Sequence, residues 1–112
     1  MADDRRTDPR IRHYFDCRWY GKWGGTDARL DDLSAGGCHI VNRFTTPSVG
    51  EIVEIEIIGA TSEPLALSGE VVDVERGVGF AVRFGDLDTD TRDQIQALLT
   101  AAEASNRRLG QS

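Results

Sequence analysis

The sequence predicts an all-β domain, a six-stranded antiparallel β-barrel with a C-terminal α-helix, and three observations predict it. Apolar and polar residues alternate along successive short segments, which puts every second side chain on one face of a strand. Twelve glycines in 112 residues supply tight turns at the spacing short strands need. After Gly85 the apolar spacing lengthens from two residues to the helical period. At this size a barrel is the usual way to hide the edges of such a sheet.

Residues 1–12 are polar, with Arg5, Arg6, Arg10 and Arg12 interleaved with Asp3, Asp4 and Asp8. Pro9 opposes a helix through the middle of this segment, so it reads as an extended tail leading into the first strand. From Tyr14 to Tyr20, Phe15, Cys17 and Trp19 alternate with Asp16 and Arg18, the pattern of a half-buried strand. Gly21, Gly24 and Gly25 turn the chain, and a weaker strand carries Ala28 and Leu30 inward. Ser34-Ala35-Gly36-Gly37 makes the next turn, and Cys38-His39-Ile40-Val41 begins the third strand.

A loop over Thr45–Gly50 leads into the clearest strand, with Val53, Ile55 and Ile57 on one face and Glu54 and Glu56 on the other. Leu65 to Glu75 comes next. Its parity slips between Leu65/Leu67 and Val72/Val74, which predicts a bulge near Gly69. Arg76-Gly77 makes a hairpin, and Phe80, Val82 and Phe84 point inward on the returning strand. Leu87, Ile95, Leu98, Leu99 and Ala102 then share one helical face, with Asp88 as N-cap and Asp90 in the first turn. The domain is expected over residues 13–107, preceded by a tail over 1–12 and followed by one over 108–112.

Formal net charge is -6, so the chain as a whole repels a polyanion, and a nucleic-acid partner is not expected. No segment approaches the ~18 apolar residues of a membrane span, and residues 1–6 lack the apolar core of a signal peptide. A cytosolic protein without a membrane partner is expected. Cys17 and Cys38 each sit in an apolar alternation and read as buried packing residues. His13 and His39 lack metal-ligand spacing and read as strand or surface residues. Ser34 has no evident histidine–carboxylate partner set. Glu54 and Glu56 read as a solvated face. Neither an enzyme nor a resident cofactor or metal is therefore expected.

Two features carry possible chemistry. Arg6-Thr7-Asp8-Pro9-Arg10 sets two guanidinium groups four residues apart on a proline-stiffened stretch. Planar arginine forks fit phosphate oxygens and the O6/N7 edge of guanine. Asp32-Leu33-Ser34-Ala35-Gly36-Gly37 offers a carboxylate, a hydroxyl and backbone N–H groups around one turn. A carboxylate accepts from the N1–H and N2–H₂ donors of guanine, and glycine at 37 would let a ligand approach the main chain.

In this order and context the two motifs resemble those of the PilZ domain family. Arg6 and Arg10 match its Arg-x-x-x-Arg motif. Asp32, Ser34 and Gly37 match its Asp/Asn-x-Ser-x-x-Gly motif. The resemblance extends through Pro47–Ile57, the Gly77–Phe84 strand and the closing helix. It implies a bacterial cyclic di-GMP receptor in which Arg6 and Arg10 grip phosphates and guanine edges. Asp32, Ser34, Gly36 and Gly37 would line the pocket of a guanine. Arg5 adds a third guanidinium, from which we expect an intercalated pair of cyclic di-GMP molecules, with Arg5 on the second. The chain carries a single domain, so its effect is expected in trans, on a downstream protein the sequence does not name. The other reading is an adaptor of the same fold that works without ligand.

Overall fold

The computed structural model describes residues 13–22 and 24–110, and the side chains of those up to Ala104. Six strands form in chain order: β1 Phe15–Gly21, β2 Gly24–Asp31, β3 Gly37–Val41, β4 Ile52–Ile58, β5 Leu65–Glu75 and β6 Gly79–Phe84. One helix, α1, comes after them over Thr89–Gly110. All pairings are antiparallel, and the strands close in the order β1-β2-β3-β6-β5-β4, with β4 returning to β1. The sequence-based barrel and helix are both present.

Closure results from the alternation. Cys17, Trp19, Leu30, Ile40, Val53, Ile55, Ile57, Val71, Phe80 and Val82 all point into one core and are almost fully buried. Trp19 meets Phe80 edge-on, with ring centroids 5.0 Å apart and planes at 72°, the geometry favoured by aromatic quadrupoles. Ile95, Leu98 and Ala102 of α1 join the same cluster. The helix starts as its sequence dictates: the Asp88 carboxylate accepts from the Thr91 N–H at 2.8 Å. Hydrogen bonds from the Thr91 side chain and backbone hold the Asp88 carboxyl below the usual carboxylate range. The cap thus supports the helix above that range and is lost as acid protonates it.

The parity slip in β5 is real but lies further along the strand than its glycine suggests. Leu65, Leu67, Gly69 and Val71 all face inward, and the register with β6 jumps between Val71 and Asp73. The bulge expected near Gly69 is therefore at Val72, which is the extra residue and faces outward, 39% exposed, rather than inward. Gly69 has a different cause: a Cβ there would stand 2.6 Å from the Arg83 carbonyl oxygen of the neighbouring strand. Close approach of two strands, not a bulge, requires glycine at that position.

Cys17 and Cys38 are free and buried, as their pattern predicts. Burial, with smaller contributions from Asp16 and Asp27, pushes the Cys17 thiol up to about 12. Burial pushes the Cys38 thiol up as well, with Cys17 and Asp31 adding to it. Because only the thiolate reacts, neither cysteine should react appreciably with a thiol reagent near neutral pH in the folded protein, and both should do so in urea. Rapid labelling of the native chain by Ellman's reagent would contradict this burial.

Candidate functional site

The turn between β2 and β3 is built by opposed demands on consecutive residues. Leu33 is buried in the barrel core, so its neighbours Asp32 and Ser34 are turned outward and exposed. To reverse the chain at that anchor, Asp32 adopts φ +53°, a left-handed conformation that aspartate tolerates better than most residues. The Ser34 hydroxyl then organises the two glycines. Its oxygen accepts from the Gly36 N–H at 3.1 Å and its O–H donates to the Gly37 carbonyl at 3.4 Å. The Ser34 N–H donates to that same carbonyl at 2.9 Å. The Phe84 N–H donates to the Gly36 carbonyl at 2.9 Å, which ties the turn to the end of β6.

Ser34 is thus occupied in holding the turn, whereas the Asp32 carboxylate has no hydrogen-bond or ion-pair partner among the described residues. Gly36 lies in the open, where an added Cβ would meet only Ser34 Oγ at 3.8 Å. Gly37 differs. A Cβ there would collide with the Val82 carbonyl oxygen across the β3–β6 pairing. Glycine at 37 therefore has a reason within the fold itself, and close approach of a ligand is not needed to explain it.

Beneath the turn stands a pair that sequence reasoning missed. Asp31 and His39 are register partners on β2 and β3, the last before the turn opens. His39 Nδ1 lies 3.1 Å from Asp31 Oδ1, with the Asp31 side chain 5% exposed and that of His39 27%. The signal lies in the hairpin itself: a turn centred on Ala35 puts 31 opposite 39. His39 does not hydrogen-bond to Ser34, and Ser34 is committed to the backbone, so the three do not form a nucleophilic relay.

Arg5, Arg6 and Arg10 lie outside the described residues. Elsewhere on the barrel, a cleft of about 790 Å³ runs over the outer face of β4 and β5 toward the start of α1. Glu54, Glu56, Glu70, Asp86 and Asp88 line it, and the Tyr20 hydroxyl donates to Glu56 at 2.9 Å. That wall of carboxylates opposes an anionic ligand, and no residue of the Asp32–Gly37 turn reaches it. Among the described residues there is no group of three metal-ligating side chains. No described helix is long and apolar enough to cross a membrane.

The chain is thus a closed six-stranded barrel with a C-terminal helix and an outward carboxylate on a serine-braced glycine turn. The PilZ domain pattern matches residues 4–101, nearly the whole chain, and the chain belongs to the PilZ domain family. PilZ domains are in general cyclic di-GMP-binding domains that act by binding rather than catalysis. A search of curated proteins finds no match to this chain.

Proposed function

We propose that this chain is a cytosolic cyclic di-GMP receptor whose N-terminal segment changes conformation on binding and is then read by a partner protein in trans. The observation that carries this reading is the Asp32 carboxylate, exposed, unpartnered among the described residues and held in a left-handed turn braced by Ser34. Its chemistry suits the N1–H and N2–H₂ donors of guanine. Arg6 and Arg10 supply the forks for phosphates and guanine edges, and Arg5 holds the second molecule of an intercalated pair.

Calorimetry with cyclic di-GMP beside GMP, GTP and cyclic di-AMP tests the proposal. Two cyclic di-GMP molecules per chain are expected, falling toward one in Arg5→Ala, with the other nucleotides weak. Amide exchange over residues 5–10 should slow in the complex. A one-to-one titration removes the pair, unchanged exchange removes the switch, and absence of any binding favours the adaptor that works without ligand.

The left-handed backbone at Asp32 offers a way to separate its two roles. Asp32→Gly keeps the conformation without a Cβ penalty, so its stability should stay within about 1 kcal/mol of the parent. Asp32→Ala adds a left-handed penalty of about 1–2 kcal/mol. Both should lose affinity, and both should lower the ratio of cyclic di-GMP to cyclic di-AMP binding. If Asp32→Gly keeps that ratio, the carboxylate serves the turn and not the base.

A further inference from the structure

The Asp31–His39 pair stands at the foot of the candidate turn. Cys38 and Ile40 are buried on either side of His39, so the imidazole is directed to the outer face of β3. Asp31 comes after the fully buried Leu30 and so also belongs to that face, although its carboxylate is nearly buried. Asp31 immediately precedes Asp32, and His39 stands two residues beyond Gly37. The pair and the turn therefore border the same patch of surface.

Hydrogen-bond chemistry fixes the ring. A carboxylate accepts only, so Nδ1 must carry a proton toward Asp31. Nε2 is the remaining polar atom, and it makes no hydrogen bond among the described residues. Across the sheet, His39 faces Ala81 on β6, whose methyl group leaves room beside the ring. An anion placed there meets Nε2, and with Asp31 behind the ring it completes a carboxylate–imidazolium–anion row. Opposite charges on both sides favour the protonated ring over the neutral one.

We propose that His39, oriented by Asp31, is a further binding residue of this site, its imidazolium Nε2–H donating to a phosphate of the cyclic dinucleotide. The inference rests on the receptor reading and adds to it a pH response. Binding takes up a proton, so affinity rises as pH falls from about 8 to about 6, the range in which a histidine titrates. Among the described residues, the other charged groups on this face are Arg29 on β2, Asp32 in the turn, Arg83 on β6 with Glu70, and Asp73 on β5. Carboxylates and guanidinium groups ordinarily keep their charge through that range, as does a phosphodiester. His13, the other histidine, packs against Phe15 with centroids 4.8 Å apart and planes tilted by 59°, just before β1, and serves as the control.

The experiment is cyclic di-GMP calorimetry at pH 6 and pH 8 on the full chain and on His39→Gln, Asp31→Asn and His13→Gln. Ring ¹⁵N spectra of the free and bound protein accompany it. The parent is expected to bind more tightly at pH 6. His39→Gln should bind roughly tenfold to a hundredfold more weakly at pH 6 and lose the pH slope. His13→Gln should keep both. Asp31→Asn should retain binding with a reduced slope, and the His39 ring should be doubly protonated at pH 7 in the complex. A parent that binds while His39→Gln binds equally, or keeps the slope, overturns the role of His39. A neutral His39 ring in the complex does the same, independently of any effect of the substitutions on folding. A parent that binds no cyclic dinucleotide at either pH overturns the receptor reading instead.

Discussion

Gly37→Ala is expected to destabilise the protein by on the order of 3 kcal/mol, a large fraction of the about 5–15 kcal/mol that holds a small domain together. The obstruction is specific. The new methyl group would collide with the backbone carbonyl of Val82, which is locked in the β3–β6 pairing and cannot rotate away as a side chain would. Gly36→Ala is the matched comparison, because its methyl group would meet only the Ser34 hydroxyl oxygen, at an ordinary 3.8 Å. That variant should unfold within about 1 kcal/mol of the parent. Urea denaturation of the two proteins gives the answer directly, and coincident midpoints would remove the steric account. Loss of ligand binding in a Gly37 variant would accordingly report a damaged barrel before it reported a blocked site.

The second large effect concerns Arg6 and Arg10. In the proposed receptor each alanine substitution would remove one charge-assisted contact, which typically corresponds to about 1.5–3 kcal/mol, or roughly tenfold to a hundredfold in affinity. The double variant should show no measurable heat with cyclic di-GMP while its urea midpoint stays at the parent value. Arg10→Lys should also bind more weakly, since an ammonium cannot form the two-pronged contact. Salt should weaken the parent's binding only modestly, because few counterions are displaced by a ligand with two phosphates. Unchanged titrations for both single variants would remove these arginines from the site. A steep salt dependence would point to a polymeric nucleic acid instead.

Most of the barrel is legible in the sequence because its physics is local. Alternation in Phe15–Trp19 and Val53–Ile57 fixes which side chains face inward, and Asp88 marks the helix start without reference to the rest of the chain. The features that sequence misplaces depend on contacts between strands. The bulge sits at Val72 rather than Gly69 because register is set jointly by β5 and β6, and a glycine is ambiguous between an irregularity and a close crossing. The same holds at the candidate site. Asp32 and Ser34 are visible as a motif, but the left-handed backbone, the buried Leu33 that turns them outward and the Val82 carbonyl facing Gly37 are tertiary facts. His39 escapes a sequence reading for that reason too: its partner is eight residues away and comes opposite only when the hairpin register is known.

The hydrogen bond from Phe84 to Gly36 and the pairing of Gly37 with Arg83 bear on the order of assembly. Of the six strand pairings, β3 with β6 joins the residues most distant in sequence, whereas β1 with β2 and β5 with β6 close through short hairpins. Loop-closure entropy makes both long-range pairings, β3 with β6 and β1 with β4, slower to gain than the hairpins. The turn that presents Asp32 is braced from one side by the first of these seams. A chain with its hairpins formed but its barrel still open therefore lacks the brace from Phe84 on that turn.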